Sequence, residues 1–402
     1  MPFDGSRPRN ALLDAGLESA AVERRRSALK RQVAQFVAEA VAATPRSGET
    51  VLYEGPAVGR TQAGRSILQG SEAEREACVA LAFTWMASLW AARNEEEEFP
   101  AAEDGPAYDC LHVLFVTLLD RLPELSDMAL GVLAATQAAL PATEAQFDQN
   151  LDTVLDLIER AAIERGLPPI LVDPLLALQA TARKVWPKPR DSLLELGRLG
   201  RIAGLVEEAR QGRTPEPAAP KVQAALQRFV TSAARLDLGT SRRASAKALP
   251  AGAQILAKPA EQRAAFLLPA LRRLAVLCVS RGRLLQAGPY DERLNHLSAL
   301  ATALLRAKLP LSDAQLAEAV ALTARAWSRM PCAAAMGRVE SHLDDAAPSQ
   351  ALTAALEQLR QCIQDDADCG SLDKGERALK QRVERLLYRP RVRPAPTPGE
   401  GA

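Results

Sequence analysis

Aromatic residues are scarce in this chain. They make up 4% of its 402 residues, although 48% of all residues are apolar. A hydrophobic core must therefore be built mostly from Leu, Ala and Val. Ala and Leu are strong helix formers, whereas the aromatic residues that favour β-sheets are few. The composition predicts an all-α protein and argues against a sandwich of β-sheets.

Metal-binding and disulfide patterns are also missing. The six cysteines are scattered without a CxxC pair, which is unlike a zinc ribbon or a disulfide framework. The three histidines have no HxxxH spacing. We therefore expect no cofactor and no metal ligands, and we expect most cysteines to be small buried apolar residues. The residues concerned are Cys78, Cys110, Cys278, Cys332, Cys362 and Cys369, with His112, His296 and His342.

A long apolar run is absent as well. The first ten residues lack the apolar core of a secretory signal, and the longest strongly apolar run, Leu111 to Leu119, is too short to span a bilayer. These absences predict a cytoplasmic protein without a membrane partner. Fifty basic and 49 acidic residues leave a formal charge of +1, so the whole chain has no field that would recruit nucleic acid.

Helix signals, in contrast, are abundant, and they are clearest from Asp291 to Trp327. Apolar residues recur there at steps of three and four until Pro310 ends a first helix. A capping box of Ser312 and Gln315 starts the next helix. The connection is short, so the two helices are predicted to be antiparallel.

Helix pairs of this kind recur at intervals of roughly forty residues. Ser71 and Glu74 form another capping box, and Leu379, Val383 and Leu386 mark the last apolar stripe. Such pairs are typical of HEAT-like repeats. We therefore predict an all-α, HEAT-like helical-repeat stack, an α-solenoid of antiparallel helix pairs. Because the repeats are degenerate, an irregular helical bundle is the alternative.

Breaks in this pattern predict the domain organisation. An N-terminal helical domain is expected at 1–210, a linker rich in proline at 211–220, and a C-terminal helical-repeat domain at 221–388. The remaining tail, 389–402, has four prolines and is expected to be disordered.

Two segments inside these domains are predicted to be irregular. Residues 44–70 contain many glycines and prolines around a candidate strand at Thr50–Tyr53, and they read as an insertion. Residues 239–259 have few large apolar side chains and are expected to form an exposed loop.

One segment resembles a phosphate-binding loop. Residues 59–66 have the spacing of a P-loop, but Arg65 stands where that motif needs lysine. A P-loop also needs a following helix and a parallel sheet, and neither is predicted here. We therefore expect no nucleotide site.

Two other patterns resemble functional sites but do not establish one. Asp365 to Glu376 imitates a calcium loop, but Ala367 and Cys369 replace two oxygen ligands, so an acidic turn between helices is the better interpretation. A Cys-His nucleophile pair stays open, because such partners meet only in the fold. No pattern identifies a catalytic residue.

Basic residues are densest near the C-terminus, and a second group lies in the predicted loop. They could contact phosphates or an acidic partner protein, although interleaved glutamates and the lack of an aromatic series favour a solvated surface. These candidate contacts are Arg242, Arg243, Lys247, Lys374, Arg377, Lys380, Arg382 and Arg385.

Residues 304–363 resemble a known family. The stretch Leu-Leu-Arg-Ala-Lys-Leu-Pro-Leu-Ser-Asp-Ala-Gln-Leu, with Trp327, Pro331 and Glu340 after it, is similar to the helical-repeat region of large bacterial proteins of unknown function. Some of these carry a WGR domain, and they are related in name to a molybdate-metabolism regulator. The resemblance implies a bacterial, cytoplasmic helical scaffold and assigns no site residue.

These observations favour a non-enzymatic helical scaffold that binds a macromolecular partner, most simply another protein. The alternative is a nucleic-acid-binding helical solenoid that uses its basic patches. An enzyme would require ionisable groups that converge in one cleft, with Asp109, Cys110 and His112 as the residues to inspect.

Overall fold

The chain is all-helical wherever its structure is described. A computed structural model describes residues 20–43, 58–91, 105–122, 124–139, 147, 150–187, 193–212, 214–236, 245–279, 292–307, 309, 311–327, 349–369 and 374–388. These residues form fifteen α-helices and three short 3-10 helices, with no strand among them. The prediction of an all-α protein is confirmed. The candidate strand at Thr50–Tyr53 and the tail at 389–402 lie outside the described residues.

Contacts between residues divide the chain into two units, Met1–Pro215 and Glu216–Ala402. The division falls within the Pro-rich segment between the last helix of unit 1 and the first helix of unit 2. Each unit is described below by itself.

Unit 1 contains eight described α-helices. Its core is formed where α3 packs on α4 and α5, while α1 covers α2, α3 and α4. Further along, α5 packs on α7, and α8 packs on α6 and α7. The helices are α1 (Ala20–Ala43), α2 (Gln62–Gln69), α3 (Glu72–Ala91), α4 (Gly105–Arg121), α5 (Asp127–Ala138), α6 (Leu151–Arg165), α7 (Val172–Val185) and α8 (Leu193–Gln211), with 3-10 helices at Val58–Arg60 and Pro169–Leu171.

Unit 2 contains seven described α-helices. Its core is formed where α11 packs on α12 and α13, while α9 covers α10, α11 and α12, and α14 packs on α13 and α15. The helices are α9 (Pro220–Ala234), α10 (Pro250–Leu256), α11 (Ala260–Val279), α12 (Glu292–Arg306), α13 (Asp313–Trp327), α14 (Gln350–Cys369) and α15 (Lys374–Leu387), with a 3-10 helix at Ala246–Ala248.

Both predicted capping boxes are confirmed. At the start of α3, the Glu74 amide donates to Ser71 Oγ at 3.3 Å, and the Ser71 amide donates to Glu74 Oε2 at 2.8 Å. At the start of α13, the Gln315 amide donates to Ser312 Oγ at 3.3 Å, and the Ser312 amide donates to Gln315 Oε1 at 2.9 Å. Each box satisfies two amides that the first helical turn leaves without intrahelical acceptors.

The two units repeat one series of helices. Each begins with a covering helix, then a 3-10 helix and a short α-helix, and then a 20-residue helix, α3 in unit 1 and α11 in unit 2. The helices that pack together correspond as well. The equivalent pairs are α1 and α9, α2 and α10, α3 and α11, α4 and α12, α5 and α13, α7 and α14, and α8 and α15.

Buried positions follow the same correspondence. Seven buried residues of α4 recur in α12 at a constant separation of 186 positions. Seven helices of unit 1 therefore have described equivalents in unit 2, while α6 and the 3-10 helix at Pro169–Leu171 have none among the described residues. The matching sets are Tyr108, Cys110, Leu111, Leu114, Phe115, Leu118 and Leu119 in α4, and Leu294, His296, Leu297, Leu300, Ala301, Leu304 and Leu305 in α12.

The segments predicted as irregular contain helices. Within residues 44–70, the described part forms the 3-10 helix at 58–60 and α2, and within residues 239–259 it forms the 3-10 helix at 246–248 and α10. Both predictions were wrong for these parts. Short helices with internal glycine have low intrinsic stability, so tertiary contacts that the sequence does not display must supply it.

Cysteine environments differ from the prediction at one position. Cys78 and Cys110 are buried and free, as expected, and Cys362 is free and half-buried. Cys278 is fully buried and disulfide-bonded, so it is an exception to what was expected of most cysteines. Wide spacing in sequence does not prevent two thiols from meeting in a fold. No described helix is both long enough and apolar enough to cross a membrane.

Candidate functional site

The densest cluster of charges in unit 1 lies between α6 and α8. Asp152, Asp156 and Glu159 follow one another at steps of four and three, so they line one side of α6. Arg201 on α8 contacts all three carboxylates, at 3.0 Å from Asp152, 2.7 Å from Asp156 and 2.8 Å from Glu159. Arg198, one turn earlier, donates to Asp152 at 2.8 Å.

This cluster is partly buried and sets two guanidinium groups against three carboxylates. Burial disfavours a charged guanidinium, but attraction to Glu159, Asp156 and Asp152 outweighs it and raises the pKa of Arg201. The Arg198 guanidinium also lies 5.9 Å from the centre of the Trp186 ring, a cation–π distance. Because the carboxylates are committed to arginine, the cluster holds α6 against α8 rather than presenting a free acid or base.

The residues named as enzyme candidates lie on α4. Asp109 and His112 are one turn apart, and the His112 ring stacks on Tyr108 with 6.5 Å between centroids. Desolvation raises the pKa of Asp109 and lowers the pKa of His112, and attraction between the two groups opposes both shifts. Asn150 donates to the Tyr108 hydroxyl at 3.4 Å.

Cys110 does not join this group as a nucleophile. It is buried in the core, whereas His112 lies on the opposite side of the helix. Burial raises the pKa of the Cys110 thiol to about 11, and burial raises that of Cys78 to about 12. Both thiols are protonated at neutral pH, and the thiolate is the nucleophilic form.

The P-loop-like segment has a different conformation from a phosphate loop. Gly64 lies inside α2, and a β-carbon there would be 2.0 Å from the carbonyl oxygen of Val58. Gly64 therefore allows α2 to pack closely against the backbone at Val58. The start of α2 already holds an anion, because the Ala63 amide donates to the Glu39 carboxylate at 3.0 Å. This bond lowers the pKa of Glu39.

The calcium-like segment begins inside a helix. Helix α14 continues through Cys369, so positions one, three and five of the imitation loop are helical. In a calcium loop these positions leave the helix and converge on the ion. No group of three or more His, Cys, Asp or Glu side chains suited to a metal ion occurs in the described parts of the chain.

The predicted basic contacts fall into two places. Lys247 is exposed in the 3-10 helix at 246–248, and Arg242 and Arg243 lie outside the described residues. The others belong to α15. There Lys374 is the first residue, Arg377 is exposed, Lys380 donates to Gln364 at 2.6 Å, Arg382 is half-buried, and Arg385 donates to the carbonyl of Gln381 at 3.4 Å.

Sequence reasoning missed a row of basic residues on α9. Lys221, Arg228 and Arg235 are all exposed and recur at steps of seven. It also missed a difference in net charge between the two units, because the formal charge of the whole chain is only +1. Unit 1 has 23 basic and 31 acidic residues, and unit 2 has 27 basic and 18 acidic residues. Counting charge for each predicted domain would have found this.

Comparison with protein-family models, with curated proteins and with solved structures gave no match. The resemblance to the helical-repeat region of WGR-type proteins therefore stays a prediction.

Proposed function

We propose that the protein is a non-enzymatic helical scaffold that binds another protein. The observation that carries this proposal is a pair of large, exposed apolar side chains in unit 1. Met128 is 56% exposed and Ile170 is 63% exposed. Exposed apolar side chains that form a contiguous patch, rather than scattered single ones, mark protein contact sites.

Packing brings the two side chains to the same part of unit 1. The neighbour of Ile170, Leu171, lies 3.5 Å from the position that a β-carbon on Gly131 would take, and Gly131 is one turn after Met128 on α5. Arg165 fixes the surroundings, because it pairs with Asp127 at 2.7 Å and donates to the Leu125 carbonyl at 2.7 Å. Met128 and Ile170 therefore lie on a surface that the contacts of Arg165 hold in place.

The ionisable groups inside the units support a scaffold over an enzyme. Asp156 and Glu159 are held by Arg201, and His296 Nδ1 lies 3.1 Å from Glu292. Groups that are committed to ion pairs, like thiols that stay protonated, are poorly placed to act as bases or nucleophiles.

A binding experiment can test the partner surface. The full chain, tagged and expressed in its native host, is expected to retain a protein partner that mass spectrometry identifies. Met128→Glu with Ile170→Glu is expected to abolish recovery, because it places charge in an apolar contact. Val41→Glu is the matched control, since Val41 is also exposed but lies on α1. Equal recovery with all three proteins would contradict this surface.

We place the scaffold in the bacterial cytoplasm, in line with the resemblance given above. Disulfides are rare in that reducing compartment. Cys278 is therefore expected to be reduced inside cells, although it is disulfide-bonded in the folded chain described here. Alkylation of acid-quenched cells followed by mass spectrometry measures this. An oxidised Cys278 in cells would place the protein in an oxidising compartment instead.

A further inference from the structure

A line of positive charge runs along one edge of α9. Lys221, Arg228 and Arg235 are separated by seven residues, which is close to two helical turns, so they fall on one edge of the helix. At a rise of 1.5 Å per residue they lie about 10.5 Å apart and span about 21 Å. These three residues are called the basic edge below.

The basic edge is not neutralised by the described part of unit 2. None of its three side chains forms an ion pair or a hydrogen bond with a described residue. Arg272 of the same unit, in contrast, is paired with Glu318. Exposed Lys247 and half-buried Lys258, on either side of α10, add charge of the same sign. Between residues 221 and 263 the chain has eight basic and two acidic residues.

The repeated fold shows that α9 does not need these charges in order to pack. Its buried residues Val222, Leu226, Phe229 and Ala233 take the places of Leu29, Val33, Phe36 and Ala40 in α1. At the same separation of 193 positions, the basic edge corresponds to Ala28, Gln35 and Ala42. The buried positions are apolar in both units, whereas these three equivalent positions are basic in unit 2 and uncharged in unit 1.

Helix stability accounts for Arg235, which caps the C-terminus of α9 where the dipole favours a cation, but it does not account for Lys221. Lys221 lies in the first turn of α9, and that turn contains no acidic residue. The helix dipole disfavours a cation at this end. A residue that opposes the dipole on an exposed surface is better explained by what it binds.

We propose that the basic edge binds the phosphate backbone of duplex nucleic acid without reading its sequence. Duplex DNA carries one charge per about 1.7 Å of axis, a regular line of negative charge that a straight row of cations can follow. The only aromatic residue of α9 is Phe229, which is fully buried, so the edge offers no platform for stacking unpaired bases. This activity goes beyond the protein-binding scaffold and uses other residues.

The salt dependence of binding tests this proposal. The full chain is titrated against a fluorescent duplex of about 20 base pairs and mixed sequence, and anisotropy is followed from about 50 to about 200 mM salt. Each phosphate contact contributes about 0.9 to the slope of log K against log salt. Lys221→Gln with Arg228→Gln and Arg235→Gln is expected to reduce the slope by about 2.7. Over this range the unchanged chain then loses about 40-fold more affinity than the variant.

A matched variant controls for charge alone. Lys30→Gln with Arg31→Gln and Arg60→Gln removes the same three charges from the surface of unit 1. It is expected to leave the slope unchanged, with all three proteins giving the same helical circular dichroism. Absence of duplex binding at the lowest salt would overturn the proposal, as would an equal loss of slope in both variants.

A competition experiment separates nucleic acid from an acidic protein partner. Poly-glutamate is added to the protein–duplex complex at the charge concentration of the duplex. Retention of the duplex supports the proposal, and displacement by poly-glutamate would assign the basic edge to an acidic protein instead. Because Met128 and Ile170 are unchanged in every protein used here, loss of duplex binding is distinguishable from failure of the scaffold proposal.

Discussion

Gly64 and Gly252 hold the same position in the two units, 188 residues apart, and each is pressed against a backbone carbonyl group. A β-carbon on Gly64 would lie 2.0 Å from the Val58 oxygen, and one on Gly252 would lie 2.0 Å from the Ala246 oxygen. In both cases the carbonyl belongs to the 3-10 helix that precedes the short α-helix. The same close approach has therefore been kept in both copies of the fold.

Gly64→Ala and Gly252→Ala are each expected to destabilise the chain by about 1–3 kcal/mol, because the added methyl group must displace backbone. Urea unfolding followed by circular dichroism measures the loss. Gly200→Ala is the control, since Gly200 is exposed in α8 and has no atom within 4 Å of its β-carbon position. That substitution is expected to stabilise the chain by about 0.5–1 kcal/mol, because alanine has a higher helix propensity than glycine. If Gly64→Ala leaves the free energy of unfolding unchanged, the 3-10 helix at 58–60 can shift at little energetic cost.

The pH dependence of the first capping box differs from that of the second. Hydrogen bonds from Ser71 and Arg25 lower the pKa of Glu74 from 4.5 to about 2. A carboxylate with a depressed pKa stabilises the fold above its unfolded pKa, and this contribution disappears as the pH falls towards the folded pKa. The wild type is therefore expected to be more stable than Glu74→Gln at neutral pH, with the difference vanishing between pH 4.5 and about 2.

Urea midpoints of the wild type and Glu74→Gln across this pH range provide the measurement. The second capping box is an uncharged control, because Gln315 does not titrate. Gln315→Ala is expected to lower stability by the same amount at every pH in the range. A difference for Glu74→Gln that persists at the acid end would show that its origin is not ionisation.

Local signals were the part of the fold that sequence could predict. The boxes at Ser71 and Ser312 need only four residues each, so they were found correctly. Helix α2 was missed because its stability depends on a distant residue, Glu39, whose carboxylate accepts from the Ala63 amide. The repeat that relates the two units was missed because its clearest sequence signal is short. It consists of Ala-Gly, two variable residues and Ile-Leu, at 63–68 and 251–256.

The candidate sites were harder to predict for the same reason. In sequence, the three acidic residues of α6 look like an ordinary polar helix face. Asp152, Asp156 and Glu159 form an ion-pair cluster only because Arg201 of α8 packs against them. Periodicity identifies which residues share a face, but it does not tell which other helix will cover that face.

Thiol reactivity is expected to follow burial among the free cysteines of the described residues. Burial raises the pKa of Cys78 to about 12 and that of Cys110 to about 11, so the native chain holds them as unreactive thiols. Cys362 is only half-buried. Brief treatment with iodoacetamide at mildly alkaline pH, followed by peptide mass spectrometry, is expected to label Cys362 well before the other two. In urea all three are expected to react at similar rates.

Arg201 is expected to be the most sensitive charged residue of unit 1. Arg201→Met removes the cation from three carboxylates, of which Asp156 and Glu159 are buried. Breaking a buried pair on one side leaves uncompensated charge and costs about 3–5 kcal/mol. Urea unfolding measures the loss, and protease sensitivity at α6 and α8 locates it. Arg210→Met is the control. Arg210 lies on the same helix, but it is exposed and its ion pair with Glu207 is long, at 4.0 Å.

The control is expected to change stability by less than about 0.5 kcal/mol, as surface pairs usually do. Asp156→Asn with Glu159→Gln, added to Arg201→Met, tests the mechanism directly. If unpaired carboxylates cause the loss, then neutralising them is expected to restore part of the stability that Arg201→Met removes. A triple variant no more stable than Arg201→Met would show instead that α8 needs the packing of the arginine side chain.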